Sequence, residues 1–161
     1  MGRAERRRGA DAERAVVAWL REVGWPDTRR YLAGDGRQPG DIDWHPLVCL
    51  EVKDRDGSRW PSWCRQAVAE CRPGMVPAVV RRTRGVPRVS SWEVRVQWRG
   101  WFDVLGCRHL PPDRGSIVAV FCRDGECAEL CPGHDWLVMT MDDLANAVAA
   151  VDTRDDQGQG S

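Results

Sequence analysis

Val16, Val17, Leu20 and Val23 recur at the 3.6-residue spacing of a helix, which predicts a helix over residues 5–23. Gly24 and Pro26 end it. Glu13 lies four residues before Val17 and seven before Leu20, so it falls on the apolar face. A carboxylate there is paired, reaches the edge of the face, or serves a function.

The pattern then changes period. Residues 32–40 are rich in Gly, Asp and Pro and read as a loop. Asp41 to Trp44 begins a short strand, His45-Pro46 is a turn, and Leu47 to Lys53 reads as a buried strand. In that strand Glu51 and Lys53 share one side at period two, and Leu50 and Val52 take the other. Asp54 to Pro61 is a loop, Trp63 to Cys71 a helix, Val76 to Val80 a strand, and Trp92 to Trp98 alternates as a strand. The order α-β-β-α-β-β predicts an α/β fold, a mixed sheet with helices against it.

Leu110-Pro111-Pro112-Asp113 interrupts the pattern. Ile117 to Cys122 and Glu126 to Leu130 flank Asp124-Gly125, a two-residue hairpin signal. Leu137 to Met141 reads as a strand and Asp142 to Val151 as a helix capped by Asp142 or Asp143. The chain therefore divides into a core over residues 1–104, a β-hairpin and helix extension over 105–151 packed on the same domain, and a polar tail over 152–161 expected to be disordered. No repeat of fixed period is present.

With 161 residues, 42% hydrophobic and 30% charged, the composition is that of one globular domain. No apolar run approaches the ~20 residues that span a bilayer, and no hydrophobic segment with a cleavage site follows the basic N-terminus. The cytoplasm is the expected location. The arginine-heavy, compact chain suits a phage of a GC-rich host, in which case the location is the host cytoplasm.

The formal net charge of zero hides an asymmetry. Residues 1–100 carry 19 Arg and one Lys against 13 Asp and Glu, a net of +7, and residues 101–161 a net of −7. The basic part can attract a phosphate backbone, or both parts can be solvated faces. Lys53 is the single lysine beside 23 arginines. A chain that uses arginine for generic cations places a compact ammonium where only lysine serves.

Hydrolysis of a phosphodiester needs an activated water and charge stabilisation on the phosphate, and a Mg²⁺ ion held by carboxylates supplies both. Asp41 and Glu51 come from adjacent segments joined by a turn, so both can reach one ion. Lys53, beside Glu51, can orient the attacking water or stabilise the developing charge. Glu13 can serve a second ion or a metal-bound water. Asp43, two residues beyond Asp41, can share or take the ligand role.

Gly40-Asp41 followed by Glu51-Val52-Lys53 resembles the paired acidic and E-x-K motifs of the PD-(D/E)XK nuclease superfamily. Arg8-Gly9-Ala10-Asp11-Ala12-Glu13 is similar to the first helix of the archaeal and phage Holliday junction resolvases. The resemblance spans about residues 6–100. It implies a restriction-endonuclease-like α-β-β-β-α-β core, Mg²⁺ or Mn²⁺ dependence, and Glu13, Asp41, Glu51 and Lys53 as the catalytic set, with the three carboxylates as metal ligands. It also implies a homodimer, which suits two symmetric cuts in branched DNA. Restriction-like or repair nucleases acting on duplex or flap DNA, and a non-catalytic DNA-binding module on the same fold, remain as alternatives.

Gln66 on the following helix is an accessory candidate. Trp60 and Trp63 read as packing residues more readily than as base-stacking ones. Arg6, Arg7, Arg8, Arg81, Arg82 and Arg84 are candidate phosphate contacts. Among the seven cysteines, Cys122 and Cys127 flank the hairpin symmetrically, and Cys131 and His134 follow. The spacing C-x₄-C-x₃-C-x₂-H permits a zinc site but matches no familiar zinc knuckle. A cross-strand disulfide and free thiols are the alternatives, and free thiols are the favoured reading. Cys49 reads as a core residue.

Overall fold

The computed structural model describes residues 3–31, 38–55, 59–97, 118–121 and 135–158. Helix α1 runs over Arg3–Glu22, followed by strands β1 (Arg29–Arg30), β2 (Ile42–Asp43) and β3 (Val48–Lys53). Helix α2 (Trp60–Glu70) leads to β4 (Val76–Arg81), a 3₁₀ turn (Val89–Ser91) and β5 (Glu93–Gln97). Strands β6 (Val118–Phe121) and β7 (Asp135–Thr140) and helix α3 (Met141–Gly158) complete the order.

The seven strands form one mixed sheet in the order β1-β2-β3-β4-β5-β7-β6. Only β3 and β4 run parallel, with Glu51 opposite Val79 and Lys53 opposite Arg81. That parallel pair needs a crossover, and α2 supplies it. The two strands are buried along most of their length and are rich in β-branched residues, as expected where helices cover both faces of a sheet.

Two apolar clusters cover the two faces. Ala12, Val16 and Leu20 of α1 and Leu144 and Val148 of α3 pack with Leu50, Val52, Ala78, Val80, Val94 and Val96 on one face. Trp60, Trp63, Cys64 and Ala67 of α2 pack with Val79 and Trp136 on the other. Alternation along β3 and β4 therefore decides which side chains meet α1 and which meet α2. Trp60 and Trp63 are 4% and 5% exposed, which makes them packing residues of the α2 face and not a stacking surface.

Several boundaries move from those read in the sequence. Helix α2 starts at Trp60 because Pro61 occupies its first turn, where a missing N–H costs nothing. Strand β1, only two residues long, has no periodicity to betray it. Helix α3 continues through Asp152 to Gly158, in place of the disordered tail expected there. The expected strand Glu126–Leu130 lies outside the described residues, as do Cys107, His109, Cys122, Cys127, Cys131 and His134. Among the described residues, no helix is long and apolar enough to cross a membrane.

Candidate active site

The site forms where the ladder between β2 and β3 stops. Ile42 pairs with Leu50, and continuing the register would set Gly40 beside Val52. Gly40 turns away instead, with φ +72°, and a Cβ on it would stand 2.7 Å from the Leu50 carbonyl oxygen. Only glycine satisfies both conditions. The turn ties Asp41 through three groups, two bonded to β3 and one to Tyr31 just past β1. Its N–H donates to the Leu50 carbonyl at 2.9 Å, and its own carbonyl accepts from the Tyr31 N–H at 3.0 Å. Its carboxylate Oδ2 accepts from the Val52 N–H at 2.7 Å, standing in for the carbonyl of the missing strand.

Glu51 and Lys53 point to the α2 side of β3. Glu51 is 1% exposed. Lys53 Nζ donates to Glu51 Oε2 at 2.6 Å and to Gln66 Oε1 at 3.1 Å. Gln66 Nε2 donates to Glu70 Oε1 at 2.9 Å, one helical turn on. Glu70 closes the ring by a carboxyl–carboxylate hydrogen bond to Glu51. Apart from that shared proton, Glu51 Oε1 is buried with no donor.

Burial pushes the Glu51 carboxyl up to about 8, helped by the bond to Glu70 and the charge of Asp41, while Lys53 pulls the other way. Glu70 is held below the usual carboxylate range by the same bond, against its own burial. Burial also raises Asp41. The Val52 N–H and Lys53 oppose this, and the charges of Glu13 and Glu70 reinforce it. The site is thus a concentration of carboxylates short of positive charge, an arrangement found where a cation binds or a proton is moved.

Glu13 reaches this region from α1 and is held by Arg30 of β1 in an ion pair. Its charge acts on Asp41, so Glu13, Asp41, Glu51 and Lys53 are brought into one neighbourhood. Asp43 is not part of it, because its carboxylate turns to Arg29 at 2.7 Å and to the Tyr31 hydroxyl. Two participants escaped the sequence reading. Arg30 was one arginine among many. Glu70 follows Gln66 by four residues, a helical spacing that carried the signal. Cys49 is buried, and its thiol is raised by the hydrogen bond it donates to Cys71 together with burial.

The oxygen-only donor set suits a hard divalent cation. Among the described residues no three His, Cys, Asp or Glu side chains converge to hold an ion on their own. Mg²⁺ commonly takes only one or two carboxylates and fills its shell with waters and phosphate oxygens. The donorless Glu51 Oε1, on a carboxylate that feels the charge of Asp41, fits that mode.

The candidate phosphate contacts separate. Arg8, Arg82 and Arg84 line one open cleft. Arg6 and Arg7 are exposed on α1. Arg81 turns to the α2 face, where it pairs with Glu93 at 2.8 Å and lies 5.2 Å from the Trp60 ring centroid. No family model, curated protein or solved structure matches the chain.

Proposed function

We propose that the protein is a divalent-metal-dependent endonuclease that hydrolyses phosphodiester bonds in DNA, with branched DNA of the Holliday junction type as its substrate. The observation that carries the reading is a carboxylate pair: part-buried Asp41 bonded to the Val52 N–H of β3, and buried Glu51 with a donorless oxygen and bonded to the chain's only lysine. The element order from α1 to β4, α-β-β-β-α-β, supports a restriction-endonuclease-like core.

Asp41 and Glu51 would hold the ion, with Glu13 reaching it directly or through water. A bound Mg²⁺ or Mn²⁺ supplies Lewis-acid stabilisation of the phosphate and an acidified water. Lys53 Nζ, held by Glu51 and Gln66, would orient the attacking water and offset charge on the phosphate oxygens. Gln66 restricts where that ammonium can go. A cation held by Asp41 and Glu51 would displace the proton that Glu51 shares with Glu70. A homodimer would supply the two sites that two symmetric incisions need.

The test incubates the protein with a labelled four-way junction, a flap and a plain duplex, with Mg²⁺, Mn²⁺ or EDTA. Metal-dependent cleavage of the junction alone is expected. Equal cleavage of all three removes the junction assignment and keeps the nuclease. No cleavage of any substrate with either metal sinks the enzymatic reading and leaves a DNA-binding module, the reading least suited to a site with all four positions filled.

A further inference from the structure

We propose that the cleft between α1 and the turn after β4 binds a backbone phosphate of the DNA strand next to the phosphate that is cut. This rests on the nuclease reading above. The cleft opens to about 520 Å³, within the ~300–1,000 Å³ of small-ligand clefts, and is lined by Arg8, Asp54, Arg82 and Arg84 together with the turn Thr83–Pro87. Three guanidiniums against one carboxylate leave the lining at +2. Guanidinium forks match phosphate oxygens in pairs.

The turn is built before any ligand arrives. The Arg82 N–H donates to the Lys53 carbonyl at 2.9 Å, and the Val86 N–H donates to the Thr83 carbonyl at 3.1 Å. Gly85 supplies the φ of +77° that the turn needs. The indole of Trp92, itself buried, donates to the Val86 carbonyl at 3.0 Å and pins the turn from below. The Arg82 guanidinium lies 5.8 Å from the Trp92 ring centroid and pairs with Asp54 at 3.2 Å. An anion entering here orders little new chain, which keeps the entropic cost of binding low.

The cleft also borders the candidate active site on two sides. Asp54 directly follows Lys53, and the Arg82 backbone is bonded to Lys53. Arg8 lies on the same helix as Glu13, five residues before it. The backbone shared with Lys53 puts the cleft next to the hydrolytic centre, so that one DNA strand could run across both. A phosphate seated there would set the register of the strand across Asp41, Glu51 and Lys53.

The test measures binding of the full chain to the four-way junction and to duplex in EDTA across a range of salt. The variants are Arg8→Ala/Arg84→Ala and, as a control, Arg14→Ala, an exposed arginine of α1 outside the cleft. The double variant should bind about tenfold more weakly on every sequence, and the slope of log affinity against log salt should fall by about 1. Arg14→Ala should keep the wild-type slope. Arg8→Lys/Arg84→Lys, should the alanine pair fold poorly, keeps the charge and should hold the slope while losing part of the affinity. Wild-type DNA binding with an unchanged slope in the alanine double variant overturns the cleft and leaves the nuclease reading standing. An equal loss in Arg14→Ala also overturns it, because the effect is then general charge. No DNA binding by the wild type overturns both.

Discussion

Glu51→Gln should make the metal-free protein more stable at alkaline pH. Glu51 is 1% exposed and its carboxyl is pushed from an ordinary 4.5 to about 8. In that interval the native state holds a proton that the unfolded chain has released, so stability drains away as pH rises through the interval. A gap of about 3.5 in pKa at ~1.36 kcal/mol each sets a ceiling of about 5 kcal/mol. Glu70 is lowered through the same shared proton, so part of the gap belongs to the pair, which leaves an effect on the order of 2 kcal/mol. Glu70's own contribution is present above 4.5 and is lost only as pH falls, so it does not mask the alkaline limb. Glutamine keeps an acceptor for Lys53 Nζ and gains a donor for Glu70 without ever ionising. Urea unfolding at pH 5.5 and pH 8.5 measures this. The stability of the variant relative to wild type should rise by about 2 kcal/mol between the two. Addition of Mg²⁺ at pH 8.5 should stabilise the wild type, by about 2.7 kcal/mol at a hundredfold excess over Kd, and leave the variant unmoved. An identical pH dependence in the two proteins would refute the buried, proton-holding carboxylate, and with it the argument that a cation displaces that proton.

Gln66→Leu should slow cleavage roughly tenfold, the ~1.4 kcal/mol of one hydrogen bond to a charged group, with little change in melting temperature because Gln66 is exposed. Single-turnover rates on the preferred DNA report it. Lys53→Arg should lose about a hundredfold or more in rate, since a planar guanidinium cannot occupy the space between Glu51 and Gln66 as a compact ammonium does. Gly40→Ala should cost about 3 kcal/mol in urea unfolding, from the positive φ and the 2.7 Å approach to the Leu50 carbonyl together.

Periodicity revealed the elements that pack and missed those that do not. Helix α1 was legible because Val16, Val17 and Leu20 repeat on one face, and β3 because Glu51 and Lys53 alternate with Leu50 and Val52. Strand β1 was not, since Arg29 and Arg30 are placed by pairing with Asp43 and Ile42 and not by any pattern of their own. The same gap explains Asp43. In an extended strand it shares a side with Asp41, but the ladder to Arg29 supplies a partner that no local pattern announces. Glu70 shows the converse: its helical offset from Gln66 was in the sequence, while the contact that gives it meaning, with Glu51 across α2 and β3, is tertiary.

The geometry of Asp41 argues that its charge and its shape can be separated. The Val52 N–H lies where β2 no longer pairs, and Asp41 Oδ2 at 2.7 Å is what satisfies it. Asp41→Ala therefore removes two things at once, the carboxylate that would bind a cation and the acceptor for a part-buried backbone donor, the second costing about 1–3 kcal/mol. Loss of cleavage in that variant would be ambiguous. Asp41→Asn keeps an oxygen for the Val52 N–H and discards only the charge. It also relieves the repulsion that Glu13 and Glu70 exert on Asp41. Its stability should equal or exceed that of the wild type, with DNA binding retained in EDTA and cleavage lost by about a hundredfold or more. A carboxylate kept at an energetic disadvantage is what selection for catalysis would leave behind. If Asp41→Asn is instead markedly less stable and still cuts at the wild-type rate, the charge serves the fold and the chemistry lies elsewhere.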